Sequence, residues 1–203
     1  MKEETVFVVD DDPGMRKSLA FLVESLGLRV ETFASADEFL QAYDPRRLGC
    51  LVLDLRMPGM SGAELQDHLA TLGVSIPIIM VSAYGDVPTV ARAMRHGAVH
   101  FLSKPFSDQE FLDCVNEAID RARRIRRQQS ERERLESRVR RLTKRERQVL
   151  KGVVDGKQNK VIAAELGLSP KTIESHRSRV MAKMGASSVA ELVRLALAYE
   201  RLA

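Results

Sequence analysis

Three aspartates, a serine and a lysine occupy comparable places in this 203-residue chain, each at or just beyond the end of a short aliphatic burst. Asp10 and Asp11 end the run VVDD, Asp54 ends LVLD, Ser82 ends IPIIMVS, and Lys104-Pro105 follows closely on AVHFL. Carboxylates brought together repel unless protons or a cation intervene, and a hard divalent ion such as Mg²⁺ takes oxygen ligands. A carboxylate nucleophile can accept phosphate where a metal and a cation neutralise the equatorial oxygens. An ammonium supplies such a compact charge, and a hydroxyl adds a hydrogen bond. Acids at strand ends can also simply cap helices, the role expected of Asp12 before Pro13.

For these residues to meet, the bursts must be neighbouring strands. TVFVV, LRVETF, CLVLD, IPIIMVS and AVHFL alternate with helix-period stretches starting near residues 13, 36, 62 and 86. That alternation predicts an α/β fold, a doubly wound five-stranded parallel sheet with both faces covered. Ligands bind such a sheet at the carboxyl ends of its strands. A further helix follows Ser107 and runs past Arg121. Ser35/Glu38, Ser61/Glu64, Ser107/Glu110, Thr143/Glu146 and Ser188/Glu191 have the Ser/Thr-x-x-Glu spacing that satisfies free amides at a helix start.

With acidic pair, central Asp, hydroxyl residue and Lys-Pro falling in order at strand ends, residues 1–120 resemble the receiver domain of bacterial two-component response regulators, which is flavodoxin- and CheY-like. The resemblance implies Asp54 as phosphoacceptor and Mg²⁺ held by Asp10, Asp11, Asp54 and the Arg56 backbone carbonyl. It further implies that Ser82 bonds the phosphoryl group, Lys104 pairs with it, Phe101 reorients with Ser82, and the Lys104-Pro105 bond is cis. Ser82 stands where Thr is common; the hydroxyl is kept and the methyl lost.

The net charge of +4 conceals a division. Residues 1–119 carry 10 Lys and Arg against 18 Asp and Glu, whereas 120–203 carry 22 against 10. An acidic half joined to a basic half suggests two domains with different partners, the basic one suited to a phosphate backbone. Residues 121–142, rich in Arg, Glu and Gln without Gly or Pro, read as a helical linker. Leu135, Val139 and Leu142 have coiled-coil spacing, but Gln128 and Arg132 occupy the same seam upstream, so a dimerising linker and a solvated helix both stay open. No apolar run approaches the roughly 20 residues of a spanning helix, and no secretory signal opens the chain. A cytoplasmic protein without membrane contact is expected, with Cys50 and Cys114 unpaired.

Residues 143–203 read as an all-α domain of four helices, at 143–154, 159–166, 170–184 and 188–201. Gly167-Leu168-Ser169-Pro170 joins the middle pair, with Ser as cap and Pro at the first helical position, as in a helix-turn-helix. LTKRERQVL, NKVIAAELGLSPKTIESHRSRVMAKMGA and AELVRLAL resemble the LuxR-type output domain, so the whole chain resembles response regulators of the FixJ and NarL kind. On a helical wheel Ile173, Val180, Met181 and Met184 face inward, toward Ile162, Leu166 and Leu168. Lys171, Ser175, Ser178, Arg179 and Ala182 face outward, with Glu174 on the flank. In a major groove Glu174, Ser175 and Ser178 would read bases, and Lys171 and Arg179 would hold phosphates. Arg177 falls toward the packed side, placed for an internal ion pair or a reach around to a phosphate, His176 is expected to pack inward, and Val189, Leu192, Val193 and Leu197 to pair two basic domains.

The reading these features favour is a phosphorylation-controlled transcription regulator. It accepts phosphate from a sensor histidine kinase, dimerises and binds double-stranded DNA; RNA polymerase is a candidate partner. As an enzyme it would do no more than phosphorylate and slowly dephosphorylate itself. An aspartyl phosphatase is disfavoured by Arg56, which stands where an Asp-x-Asp motif has its second acid. A phosphate-independent DNA-binding dimer, its receiver used only for pairing, is the alternative.

Overall fold

The computed structural model describes residues 4–83 and 86–201. The chain divides into two compact units, Met1–Arg126 and Arg127–Ala203. In the first, β1 (Thr5–Val9), β2 (Arg29–Phe33), β3 (Gly49–Asp54), β4 (Ile78–Ser82) and β5 (His100–Ser103) form a parallel sheet in the order β2-β1-β3-β4-β5. Side chains alternate across a strand, and the core follows. Phe7, Val9, Leu51, Leu53 and Met80 pack on one face. Val6, Val8, Cys50, Val52, Ile79 and Val81 pack on the other.

Helices α2 (Ala36–Ala42), α3 (Gly62–Thr71) and α4 (Val87–Arg95) cover the first face through Phe39, Leu65, Leu69 and Ala93. The opposite face is covered by α1 (Pro13–Ser25), through Leu19 and Val23, and by the start of α5 (Asp108–Arg140), through Phe111, Val115 and Ile119. Two glycines permit close approach: a Cβ at Gly49 would lie 1.8 Å from the Thr5 carbonyl oxygen, and one at Gly62 would lie 2.2 Å from that of Asp54. Asp12 caps α1 by accepting the Gly14 N–H at 2.7 Å. Each of the five expected Ser/Thr-x-x-Glu pairs has its hydroxyl accepting the Glu N–H.

The second unit holds α6 (Lys144–Val154), α7 (Asn159–Leu166), α8 (Pro170–Met184) and α9 (Val189–Glu200). Gly167, at φ 65°, turns the chain between α7 and α8. Ile173, Val180 and Met184 are fully buried and share a core with Ile162, Leu166 and Leu168. Two expectations need correction. Leu135, Val139 and Leu142 form neither a coiled-coil seam nor a solvated face, because their apolar stripe is buried in this same core. Leu192 is also buried there and Val193 packs against it, leaving only Val189 and Leu197 of the expected pairing surface exposed.

Candidate active site and nucleic-acid interface

The pairing of β1 with β3 ends at Val9 opposite Leu53, so the next residues, Asp10 and Asp54, emerge side by side at the carboxyl edge. This is also where the strand order reverses, the place at which open α/β sheets bind ligands. Both carboxylates are buried. The Lys104 ammonium bridges them, 2.9 Å from Asp10 Oδ2 and 2.8 Å from Asp54 Oδ1. Their other oxygens accept backbone amides, Asp10 Oδ1 from Asp12 at 2.9 Å and Asp54 Oδ2 from Arg56 at 2.8 Å. Lys104 is placed by its own N–H, which donates to the Ser82 carbonyl at 2.7 Å; the bond that joins it to Pro105 is cis.

Burial, above all, raises the Asp54 carboxyl above its ordinary range, although Lys104 and the Arg56 amide oppose it. Burial alone would lower the Lys104 pKa, but the bonds and charges of Asp54 and Asp10 outweigh it and hold the ammonium protonated above its usual value. A buried carboxylate with a fixed cation beside it can attack phosphorus while that cation takes up developing charge. Ser82 ends β4 two positions after Met80, which pairs with Phe101 of β5; Ser82 is buried and Phe101 is half-buried against the core. Asp11 is exposed beside Asp10.

Asp10 and Asp54 offer the hard oxygen donors that Mg²⁺ takes. Among the described residues, no three His, Cys, Asp or Glu side chains converge into a group that could hold a metal by themselves. Arg16 was not foreseen: its guanidinium donates to the Asp10 and Asp11 carbonyls at 2.7 and 3.0 Å, clamping the acidic loop. A cation in the first turn of a helix, against the dipole, is the signal that could have pointed to it. Gln66 was also missed; it is buried and ties α3 to α4 through the Ala93 carbonyl. His96 pairs with Asp67 and His100 with Glu117. Cys50 and Cys114 are free thiols.

In the second unit, Lys171, Glu174, Ser175, Ser178, Arg179 and Ala182 lie exposed on α8, opposite its buried stripe. None of Lys171, Glu174, Ser175, Ser178 and Arg179 is drawn into a side-chain hydrogen bond or ion pair among the described residues. Arg177 turns inward and donates to Asn159 Oδ1 of α7 at 2.6 Å. His176 is half-buried, with Nδ1 enclosed and unpartnered. Lys183 reaches the buried Glu146 of α6 at 2.7 Å. The exposed face is thus a surface of two cations, two hydroxyls and a carboxylate on a helix fixed from behind.

Residues 6–116 match the family model of the response regulator receiver domain, and residues 140–196 that of the bacterial regulatory proteins of the luxR family. Nodulation protein W of Bradyrhizobium diazoefficiens is 50% identical over 190 residues, 94% of this chain and 84% of that protein. Transcriptional regulatory protein FixJ of Rhizobium meliloti is 44% identical over 198 residues, 98% of this chain and 97% of that one. The solved structure of the response regulator StyR superposes with a TM-score of 0.90 at 44% identity, covering 97% of this chain and 100% of that one. With Lys104 bridging Asp10 and Asp54 in one unit and a LuxR-type helix-turn-helix in the other, the chain belongs to the FixJ-like response regulators, which join a receiver to a LuxR-type DNA-binding domain and serve phosphorylation-controlled transcription.

Proposed function

We propose that Asp54 accepts a phosphoryl group from the phosphohistidine of a sensor kinase and that the modified protein pairs and binds promoter DNA. The observation that carries this reading is the Lys104 ammonium set between the buried carboxylates of Asp10 and Asp54 at the sheet edge. One Asp54 oxygen attacks phosphorus, and the histidine nitrogen of the donor leaves. Lys104 exchanges its Asp54 contact for a phosphoryl oxygen, and the Ser82 hydroxyl bonds another. Asp10, Asp11, Asp54 and the Arg56 carbonyl are the ligands proposed for Mg²⁺, which when bound supplies charge neutralisation at the phosphoryl oxygens. Outside this self-modification and its slow hydrolysis, no turnover of separate substrates is proposed.

A dianionic group at Asp54 changes the contacts available to Ser82, and Phe101, half-buried on the neighbouring strand, is the side chain proposed to follow it. Pairing of two chains would raise the effective concentration of the second DNA-binding unit at its half-site. On α8, Lys171 and Arg179 are proposed to hold phosphates, and Glu174, Ser175 and Ser178 to face base edges. Location in the cytoplasm and contact with RNA polymerase belong to the same proposal. No helix among the described residues is long and apolar enough to cross a membrane.

Incubation with labelled acetyl phosphate and Mg²⁺ tests the receiver. Label should appear on Asp54, fail to form when the metal is chelated beforehand, and be absent from D54N. Labelling of D54N to the parent's extent at another carboxylate would overturn the assignment. Parent protein that takes no label yet binds DNA as a pair would favour the phosphate-independent reading.

A further inference from the structure

Base reading requires a helix held to a fraction of an ångström, and side chains outside α8 hold it. The last four carbonyls of any helix lack partners within it. At the end of α8, Gly185 takes φ 65°; its N–H closes on the Ala182 carbonyl and that of Ala186 on Met181. The carbonyl of Met184 is taken by Arg138, whose Nη1 donates to it at 2.9 Å. The guanidinium lies so close over Gly185 that a Cβ there would stand 3.3 Å from its central carbon. The same charge is the smallest of the effects, after the bonds from Ser187 and the charge of Arg194, that hold the Glu191 carboxyl in the first turn of α9 below its usual range. Arg138 therefore sits where α8 ends and α9 begins, with its positive charge at the negative end of the α8 dipole. It is itself fixed, because Leu135, Val139 and Leu142 around it are buried with Ile173, Val180 and Met184.

We propose that Arg138 is a positioning residue for DNA recognition: from the last turns of α5 it fixes the C-terminal turn of α8 against the start of α9 and so sets how α8 presents Glu174, Ser175 and Ser178. The inference rests on α8 being the reading helix. It makes the end of α5 a part of the DNA-binding unit rather than a connector to it. Lysine at this position keeps the charge but lacks the planar fork that reaches the carbonyl while packing on Gly185.

The test uses the intact protein and two duplexes, one selected from random sequence by the parent and one of unselected sequence, each titrated over a salt series. Amide hydrogen exchange is followed through α8 and α9. R138A should weaken the selected duplex about tenfold, the cost of a missing charge-assisted hydrogen bond. The unselected duplex should change by less than about twofold and the salt slope should hold, since no phosphate contact is removed. Exchange at Gly185 and Ala186 should quicken, and R138K should recover only part of the selectivity. Equal weakening on both duplexes with a slope lowered by about one would make Arg138 a phosphate contact and overturn the proposal. So would faster exchange with unchanged selectivity, the mark of a merely structural role. If R138A loses protection throughout α6–α9, R138K is judged on the same two ratios. E174A and S175A run alongside. If both keep the parent's base preference, the reading of α8 has failed; if they alter it while R138A and R138K do not, only the positioning role has.

Discussion

Replacing Lys104 with Met removes the one ammonium that stands between two buried carboxylates while keeping most of the side-chain volume. Lys104 Nζ is 2.9 Å from Asp10 Oδ2 and 2.8 Å from Asp54 Oδ1. Those oxygens therefore lie within about 6 Å of each other, where two unit charges at an effective dielectric constant of about 20 repel by about 3 kcal/mol. The two acid side chains are only 3% and 9% exposed, so water cannot screen them as it would at the surface. An estimate of about 3 kcal/mol is also what removing one partner of a buried pair costs at the lower end. The first unit of K104M should lose about this much stability at neutral pH in the absence of divalent ions.

The pH dependence has a definite sign. The Asp54 carboxyl is already raised in the folded protein by burial, against the opposing effect of Lys104, and removing that opposition raises it further. A folded-state pKa above the unfolded value means the folded state binds more protons, so stability falls as pH rises through that window. The deficit of K104M should be full above the raised Asp54 pKa and shrink as acid protonates the carboxyl. Urea titration of the intact protein, read from NMR signals of β1 and β3, measures it for this unit. A variant as stable as the parent at pH 7, or a deficit that does not shrink on acidification, would refute the electrostatic account.

In the second unit, the Lys183 ammonium, followed by the Thr143 amide, holds Glu146 below the ordinary carboxylate range. Its contribution to stability is thus present above the unfolded value of about 4.3 and lost as pH falls through the lower folded value. E146Q should cost about 1–2 kcal/mol at pH 7 and flatten the acid limb, the loss moderated because Gln can still accept the Thr143 amide; exchange protection in α6 and α8 reports it. On DNA, K171A or R179A should weaken all sequences alike and lower the salt slope by about one for each phosphate that a subunit no longer neutralises. Replacing Glu174, Ser175 or Ser178 should shift base preference at two positions about one DNA turn apart, by roughly 1–3 kcal/mol for a good contact and less for a single Ser bond, as measured by selection from random duplexes.

The residues gathered at the sheet edge were legible because strand ends in a parallel α/β sheet are marked in the chain by where the aliphatic bursts stop. Asp10, Asp54, Ser82 and Lys104 stop or follow four of those bursts, and folding brings all four strands into one sheet. Helix starts were legible for a similar reason, since a cap bond joins residues three apart and needs nothing distant. Arg16 was not, because its acceptors are backbone carbonyls, which every residue has and which leave no mark in the sequence.

Local periodicity determines which side of a helix or strand is apolar; it does not name what that side meets. The spacing of Leu135, Val139 and Leu142 announces a stripe that must be covered, and a second chain or the body of the same chain satisfies it equally well. Tertiary structure chose the same chain, seating them with Val149, Ile173 and Leu192. The same holds for Leu192 and Val193 on α9, whose apolar character was plain while their inward direction was not. Arg138 and the Met184 carbonyl lie 46 residues apart and meet only once that core has closed. Sequence alone therefore determined the two fold classes and which residues meet at the sheet edge. Which apolar stripes remain for partners, and what holds α8 in place, was decided by long-range packing, because burial rewards any apolar neighbour and only the three-dimensional fit selects one.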